Sequence, residues 1–396
     1  MASQDTLGQS EPSRASFLYD PKIRSIIFQV IVVVLLVLAV GWIVSNTVEN
    51  LRRANIASGF GFLRGRAGFD IAVTPLPYTS DDTFGRALLI GFINTLVVAI
   101  AGIITATIVG FLVGVGRLSS NWLIARICTV YVEIFRNIPP LLVIFFWYLG
   151  VLSVLPLPRD SIDLPLGGFL NSRGIYIPRT VWSEGSWLVL VALVVAIGMS
   201  WFVARRARAR QMQTGQQFPV LWTNLALIIG LPLLAFLLAG MPVTIEYPVL
   251  GAFNLQGGWQ VKPEFLSLYL ALSFYTAAFI AEIVRAGIKG VSRGQTEAAY
   301  ALGLRAGPTL RLVVIPQAMR IVIPPLTSQY LNLTKNSSLA VAIGYPELVA
   351  VGGTILNQTG QSIEVVAIWM LVYLGLSIST SIFMNWFNAR VALVER

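Results

Sequence analysis

The residues best placed to do chemistry in this 396-residue chain are charged side chains set inside apolar stretches. Glu133 and Arg136 lie three positions apart, as do Glu282 and Arg285, so each pair shares one side of a helix. Charges at membrane depth cost several kcal/mol on most estimates, which makes them functional candidates by default. Each pair reads as an ion pair at a helix end or as a gate contact on a path. Lys335 stands in a polar run with Asn332, Thr334, Asn336, Ser337 and Ser338. Irregular backbone at that depth is tolerated only beside protein or a water-filled cavity. Lys335 could attract a carboxylate-bearing solute, pair with Glu347 or cap a carbonyl. Bond-making chemistry has little support. There is no histidine and only Cys128, which excludes His-based catalysis and Cys-based metal clusters. No G-x-x-x-x-G-K-[ST] phosphate loop is present.

A second constellation runs over 291–316, VSRGQTEAAYALGLRAGPTLRLVVIP. It reads as a short helix, a break and a second helix. Ser292 and Gln295 have capping-box spacing. Gly303 stands where a helix ends in a left-handed turn. Gly307 and Pro308 would open the next helix, with Pro308 at its first position. Glu297 can pair with Arg293 one turn back. Ala298 and Ala299 offer a small surface that lets another protein come close.

These residues need elements to hold them, and apolar windows supply those elements. Charged residues make up 12% of the chain, against about 25% in soluble domains, so apolar surface must meet lipid. A spanning helix needs about 20 mostly apolar residues. Windows of that kind occur at 26–45, 87–115, 130–155, 187–204, 220–243, 265–284 and 365–387, and one more from 321 is interrupted around Lys335. The class is therefore all-α integral membrane with about eight transmembrane helices. Arg205, Arg206, Arg208 and Arg210 follow the fourth window, which places that end in the cytoplasm by the positive-inside rule. Alternation then puts both termini and the 291–316 segment inside. The connection 46–86 falls outside although it holds Arg52, Arg53, Arg64, Arg66 and Arg86; long segments obey the charge rule less strictly. The net charge of +10 thus reads as the cytoplasmic excess of a membrane protein, not as a nucleic-acid surface. The outer connections 156–186 and 242–264 are rich in Gly, Pro and aromatics, and neither reads as a separate domain. The polar N-terminus does not read as a cleaved signal peptide.

The order Glu297-Ala298-Ala299, then Gly303, then Ile315-Pro316 resembles the EAA loop of bacterial ABC importer permeases. Val313 and Ile315 replace the usual isoleucine and leucine. The segments YVEIFRNIPPLLVIFFWYLG from Tyr131 and LNLTKNSSLAVAIG from Leu331 resemble polar amino acid permeases, with Asn137, Ile138 and Pro139 in place of a Gly-Thr-Pro run. The resemblance implies a permease core of five to six helices within 85–396, extra helices inserted near 187–243, and a leading segment 1–84. It implies that Glu297, Ala298, Ala299, Gly303, Ile315 and Pro316 couple the chain to a cytoplasmic ATPase subunit, which would bind the ATP. The chain itself would then need no cofactor and hold no metal. It further implies a second permease subunit, a copy or a paralogue, and a periplasmic amino-acid-binding protein, all in the bacterial inner membrane system. Glu133, Arg136, Glu282, Arg285, Asn332, Lys335 and Asn336 would line a gate or the translocation path. An ion-gradient-driven secondary transporter is the alternative, and it leaves the 291–316 segment unexplained.

Overall fold

The structure is a computed structural model that describes residues 21–53, 59–251 and 254–391. Among the described residues, seven helices are long and apolar enough to cross a membrane, and a bent pair would make an eighth. The first, α1 (Pro21–Arg53), buries none of its apolar window against the rest of the described chain and is long enough to span a bilayer.

The centre is built by α2 (Phe84–Gly116) and α7 (Pro263–Lys289), with α10 (Ile315–Asn336) beside them. Buried Gly102, Ala106, Gly110 and Gly114 recur every fourth position along one face of α2. A Cβ on Gly110 would stand 2.6 Å from Ile280, and one on Gly114 would stand 2.7 Å from the Ala281 carbonyl. Small residues at four-residue spacing are what lets membrane helices approach this closely. The contacts advance together along both chains, so α2 and α7 run parallel. Leu333 of α10 meets Gly102 while the Tyr330 hydroxyl bonds the Thr107 hydroxyl at 2.8 Å, so α10 runs antiparallel to α2.

The third window departs from a straight span. Helix α3 (Trp122–Asn137) begins eight residues before the window, capped by Asn121, whose side chain accepts from the amides of Leu123 and Ile124. It then breaks by 111° into α4 (Pro140–Phe145) and a π-helical turn, Phe146–Leu152. The cause is the Ile138-Pro139-Pro140 run. A residue before proline is pushed to extended backbone, and Ile138 and Pro139 both take ψ near 135–140° (134° and 140°).

The connections at the far end are not plain loops. Strands β1 (Ile162–Leu164), β2 (Gly168–Asn171) and β3 (Gly174–Ile177) form an antiparallel sheet that β8 (Trp259–Val261) completes. Beside it, β4 (Arg179–Trp182) pairs with β5 (Val243–Glu246), and Arg179 bonds Glu246 at 2.7 Å across the pair. A short ribbon, β6 (Val249–Leu250) with β7 (Leu255–Gln256), lies between β5 and β8 in the chain. The chain leaves β4 into α5 (Ser186–Thr214) and returns through α6 (Val220–Leu238) to β5. The two helices pack on each other as a hairpin, and α6 runs through Pro232. Because β8 leads directly into α7, the sheets gather the start of α5, the end of α6 and the start of α7 at one end of the molecule. The 215–219 turn and the end of α7 therefore lie at the other.

At that other end, α7 leads into α8 (Arg293–Ala301), α9 (Ala306–Thr309) and a π-helical stretch, Leu310–Val314, before α10. The seventh window so begins earlier than position 321. Its expected interruption is a change to 3-10 helix over Ser337–Ile343, closed by left-handed Gly344. A short helix, α11 (Leu348–Thr359), follows, and α12 (Ser362–Val391) closes the described chain. No window anticipates α11.

Candidate functional site

Helix α8 lies at the surface with Glu297 and Ala298 exposed, while Ala299 is buried against the molecule. Only Ala298 of the alanine pair is therefore open to a partner. Gly303 takes φ +81°, the left-handed turn its position predicts, and its amide donates to the Tyr300 carbonyl at 2.9 Å. Three local expectations fail. Ser292 precedes the helix but makes no side-chain cap, and Gln295 turns instead to accept from the Gln317 side chain at 3.1 Å. Glu297 and Arg293 form no ion pair. The second helix starts at Ala306, directly after Arg305, so Pro308 occupies its third position and not its first. Ile315 is exposed and Pro316 half-buried in the first turn of α10. The Gln295–Gln317 bond ties α8 to that first turn. Close by, Gly287 of α7 packs against Ala318 and Val322 of α10. Displacing α8 would thus pull on the first turn of α10 through that bond, and reach α7 through the packing of α7 on α10.

About 10 Å before the end of α7, by the helical rise, stands a knot of charges. Glu282 accepts hydrogen bonds from Arg117 and Arg285. Arg136 of α3 approaches the same carboxylate at 3.9 Å and lies over the Phe279 ring, 5.9 Å from its centroid. Glu133 reaches Arg117 at 3.9 Å. The Glu282–Arg285 pairing expected from spacing is present, whereas Glu133 and Arg136 pair with other helices and not with each other. Arg117, the residue that joins them, sits just past the end of α2, between two apolar windows, where no periodicity marks it. Its side chain is only 10% exposed. The knot locks the ends of α2, α3 and α7 together at the α8 end of the molecule.

Along α10, one line of residues faces away from the rest of the chain: Ile321, Pro324, Pro325, Ser328, Asn332 and Lys335 are exposed. Their spacing is that of a single helix face. Val322, Ile323, Leu326 and Leu333 fill the opposite side. Asn336 is half-buried at the helix end. Lys335 is about 30 Å from Ile315 by the helical rise, so it stands toward the sheet end and not at mid-depth. It makes no ion pair among the described residues, and the pairing with Glu347 does not occur. Glu347 is instead fully buried. Its carboxylate accepts from the amides of Val349 and Ala350 at the start of α11 and from the Tyr373 hydroxyl.

Comparison with known proteins agrees with this architecture. Residues 210–393 match the family described as binding-protein-dependent transport system inner membrane component. The chain is 64% identical over 381 residues to the general L-amino acid transport system permease protein AapQ of Rhizobium johnstonii, covering 96% of this chain and 95% of that protein. It is 50% identical to the putative amino-acid ABC transporter permease protein YhdX of Escherichia coli, over 95% of this chain and 96% of the relative. It is 42% identical to the glutamate/glutamine/aspartate/asparagine transport system permease protein BztB of Rhodobacter capsulatus, over 98% and 99%. A likeness of this extent, on a chain of spanning helices, makes it a member of the family of inner membrane components of binding-protein-dependent transport systems.

Proposed function

We propose that this chain is the permease subunit of an ATP-driven importer for polar L-amino acids. The observation that carries the reading is α8. It is an exposed helix ended by a left-handed glycine and bonded through Gln295 to the first turn of α10. That arrangement suits a helix that receives motion from a cytoplasmic ATPase subunit and passes it to α7 and α10. Glu297 and Ala298 would face the partner; Gly303, Ile315 and Pro316 would hold the helix at its working angle. The names of the three relatives support amino acids as the cargo.

The remaining roles follow from position. ATP binding would draw two such coupling helices together and open the path outward, so the chain acts beside a second permease subunit, a copy or a paralogue. A periplasmic binding protein would deliver the amino acid at the sheet end. Both termini would lie in the cytoplasm, on the α8 side. The exposed α10 line supplies Asn332 and Lys335 to the path, with Lys335 attracting the substrate carboxylate. The knot around Glu282 would hold the cytoplasmic end closed between cycles.

Substituting Gly303→Asp tests the coupling role. A side chain at φ +81° costs about 1–2 kcal/mol and shifts the turn. Membrane expression should stay normal while uptake falls at least about tenfold, the equivalent of ~1.4 kcal/mol. Unaltered uptake at normal expression would remove α8 from the coupling path.

A further inference from the structure

The inserted hairpin ends in a concentration of positive charge that the transport reading leaves unused. Helix α5 does not stop where its apolar stretch stops. It continues from Arg205 to Thr214, about 15 Å by the helical rise, and closes at left-handed Gly215. Arg205, Arg206, Arg208 and Arg210 are all exposed on this extension. No Asp or Glu occurs between Glu184 and Glu246, and among the described residues no carboxylate pairs with any of the four. Two guanidinium groups are held over aromatic rings of the preceding turn: Arg205 lies 5.4 Å from the Trp201 centroid and Arg206 lies 5.8 Å from that of Phe202. Tryptophan rings such as that of Trp201 sit at the headgroup level of a bilayer. They fix the height of the arginines at the membrane surface.

A second feature stands across the 215–219 turn. The first turns of α6 carry a shallow groove of about 540 Å³ lined by Val220, Leu221, Asn224, Leu225, Ile228 and Ile229. These residues share one helix face and run from the arginine end toward the sheet end. All but Asn224 are apolar. Asn224 lies about 6 Å into the helix, where the ester linkages of a phospholipid would stand. Its amide can donate to an ester carbonyl, and an acyl chain can lie along Val220 to Ile229.

We propose that the turn end of the α5–α6 hairpin binds an anionic phospholipid of the inner leaflet. The arginines hold the phosphodiester, and the α6 groove holds an acyl chain. Charge alone would recruit any anionic surface; the adjoining apolar groove at the same end is what selects a lipid. Basic clusters directly cytoplasmic of a spanning helix attract anionic headgroups.

The test uses the full chain reconstituted into nanodiscs of equal parts phosphatidylcholine and phosphatidylglycerol. After mild re-extraction, retained lipid is counted by native mass spectrometry. Wild type should keep phosphatidylglycerol in preference to phosphatidylcholine, and high salt should weaken the preference. Arg208→Gln alone should lower retention by roughly fivefold, while leaving three arginines to orient the hairpin. Changing all four arginines to lysine should preserve most of the binding. Leu225→Trp, which fills the groove, should reduce retention of long-chain but not of short-chain phosphatidylglycerol. Equal retention of both headgroups by wild type would overturn the proposal. So would undiminished phosphatidylglycerol on the Arg208→Gln and four-glutamine variants, the result expected if the arginines only set topology or meet an acidic protein surface.

Discussion

Glu282 shows how one carboxylate can bind three helices. It answers Arg285 on its own helix, Arg117 past α2 and, more distantly, Arg136 on α3. Removing one partner of a buried pair costs about 3–5 kcal/mol. Glu282 keeps a quarter of its side chain exposed, so the cost here is nearer to about 1–3 kcal/mol after screening. Glu282→Gln should therefore lower the melting temperature in detergent, and pairing it with Arg117→Met should recover part of the loss. A double variant no better than the sum of the singles would show that the two side chains are energetically independent. Lys335 is the opposite case, an exposed cation with no ion pair among the described residues. Lys335→Gln should leave the melting temperature unchanged and raise the KM for uptake about tenfold or more, the scale of one charge-assisted contact at about 1.5–3 kcal/mol. A fall in stability with unchanged KM would make it a structural residue. Spacing alone revealed Glu282 and Arg285, because both sit on one periodic helix. It concealed Arg117 and the true partners of Glu133 and Arg136, because those contacts join separate elements and not positions on one helix.

At the scale of elements, the glycine face of α2 decides whether the centre assembles. Gly110→Val would drive a branched side chain into Ile280, an overpacking that costs about 1–3 kcal/mol or more. Its expected signature is an aggregated or early-melting protein on size-exclusion and thermal scans. Gly198 in α5 has open space around it, so Gly198→Ala should be tolerated or slightly stabilising. Equal behaviour of the two variants would mean that α2 and α7 do not meet as described. The spans themselves were legible, since length and missing charge suffice to find them. The bend after α3 was also written in the sequence, in Ile138-Pro139-Pro140, although apolar content alone ran the window straight through it. The outer strands were not legible. They are two to four residues long, and β3 finds β8 only after the whole α5–α6 hairpin has intervened. Helix α11 was hidden for a different reason: it is too short to span and holds paired glycines, Gly352 and Gly353.

At the scale of the whole molecule, the proposed function makes the chain one half of a device. The exposed α10 line and the exposed α8 helix are the faces it would offer to partner subunits. The sheets at one end and α8 at the other lie on opposite sides of the spanning helices, as the proposed alternating access requires. On the proposed function, movement of amino acid through this chain is driven through α8 by ATP hydrolysed elsewhere. The most direct measurement is uptake of labelled glutamate and glutamine into proteoliposomes. These would contain the permease pair and its binding protein, with and without the ATPase subunit and ATP. Uptake should require both and should fall at least about tenfold with Gly303→Asp despite normal incorporation. Amino acid uptake by the permease in the absence of ATPase subunit and ATP, driven by an ion gradient, would contradict the account.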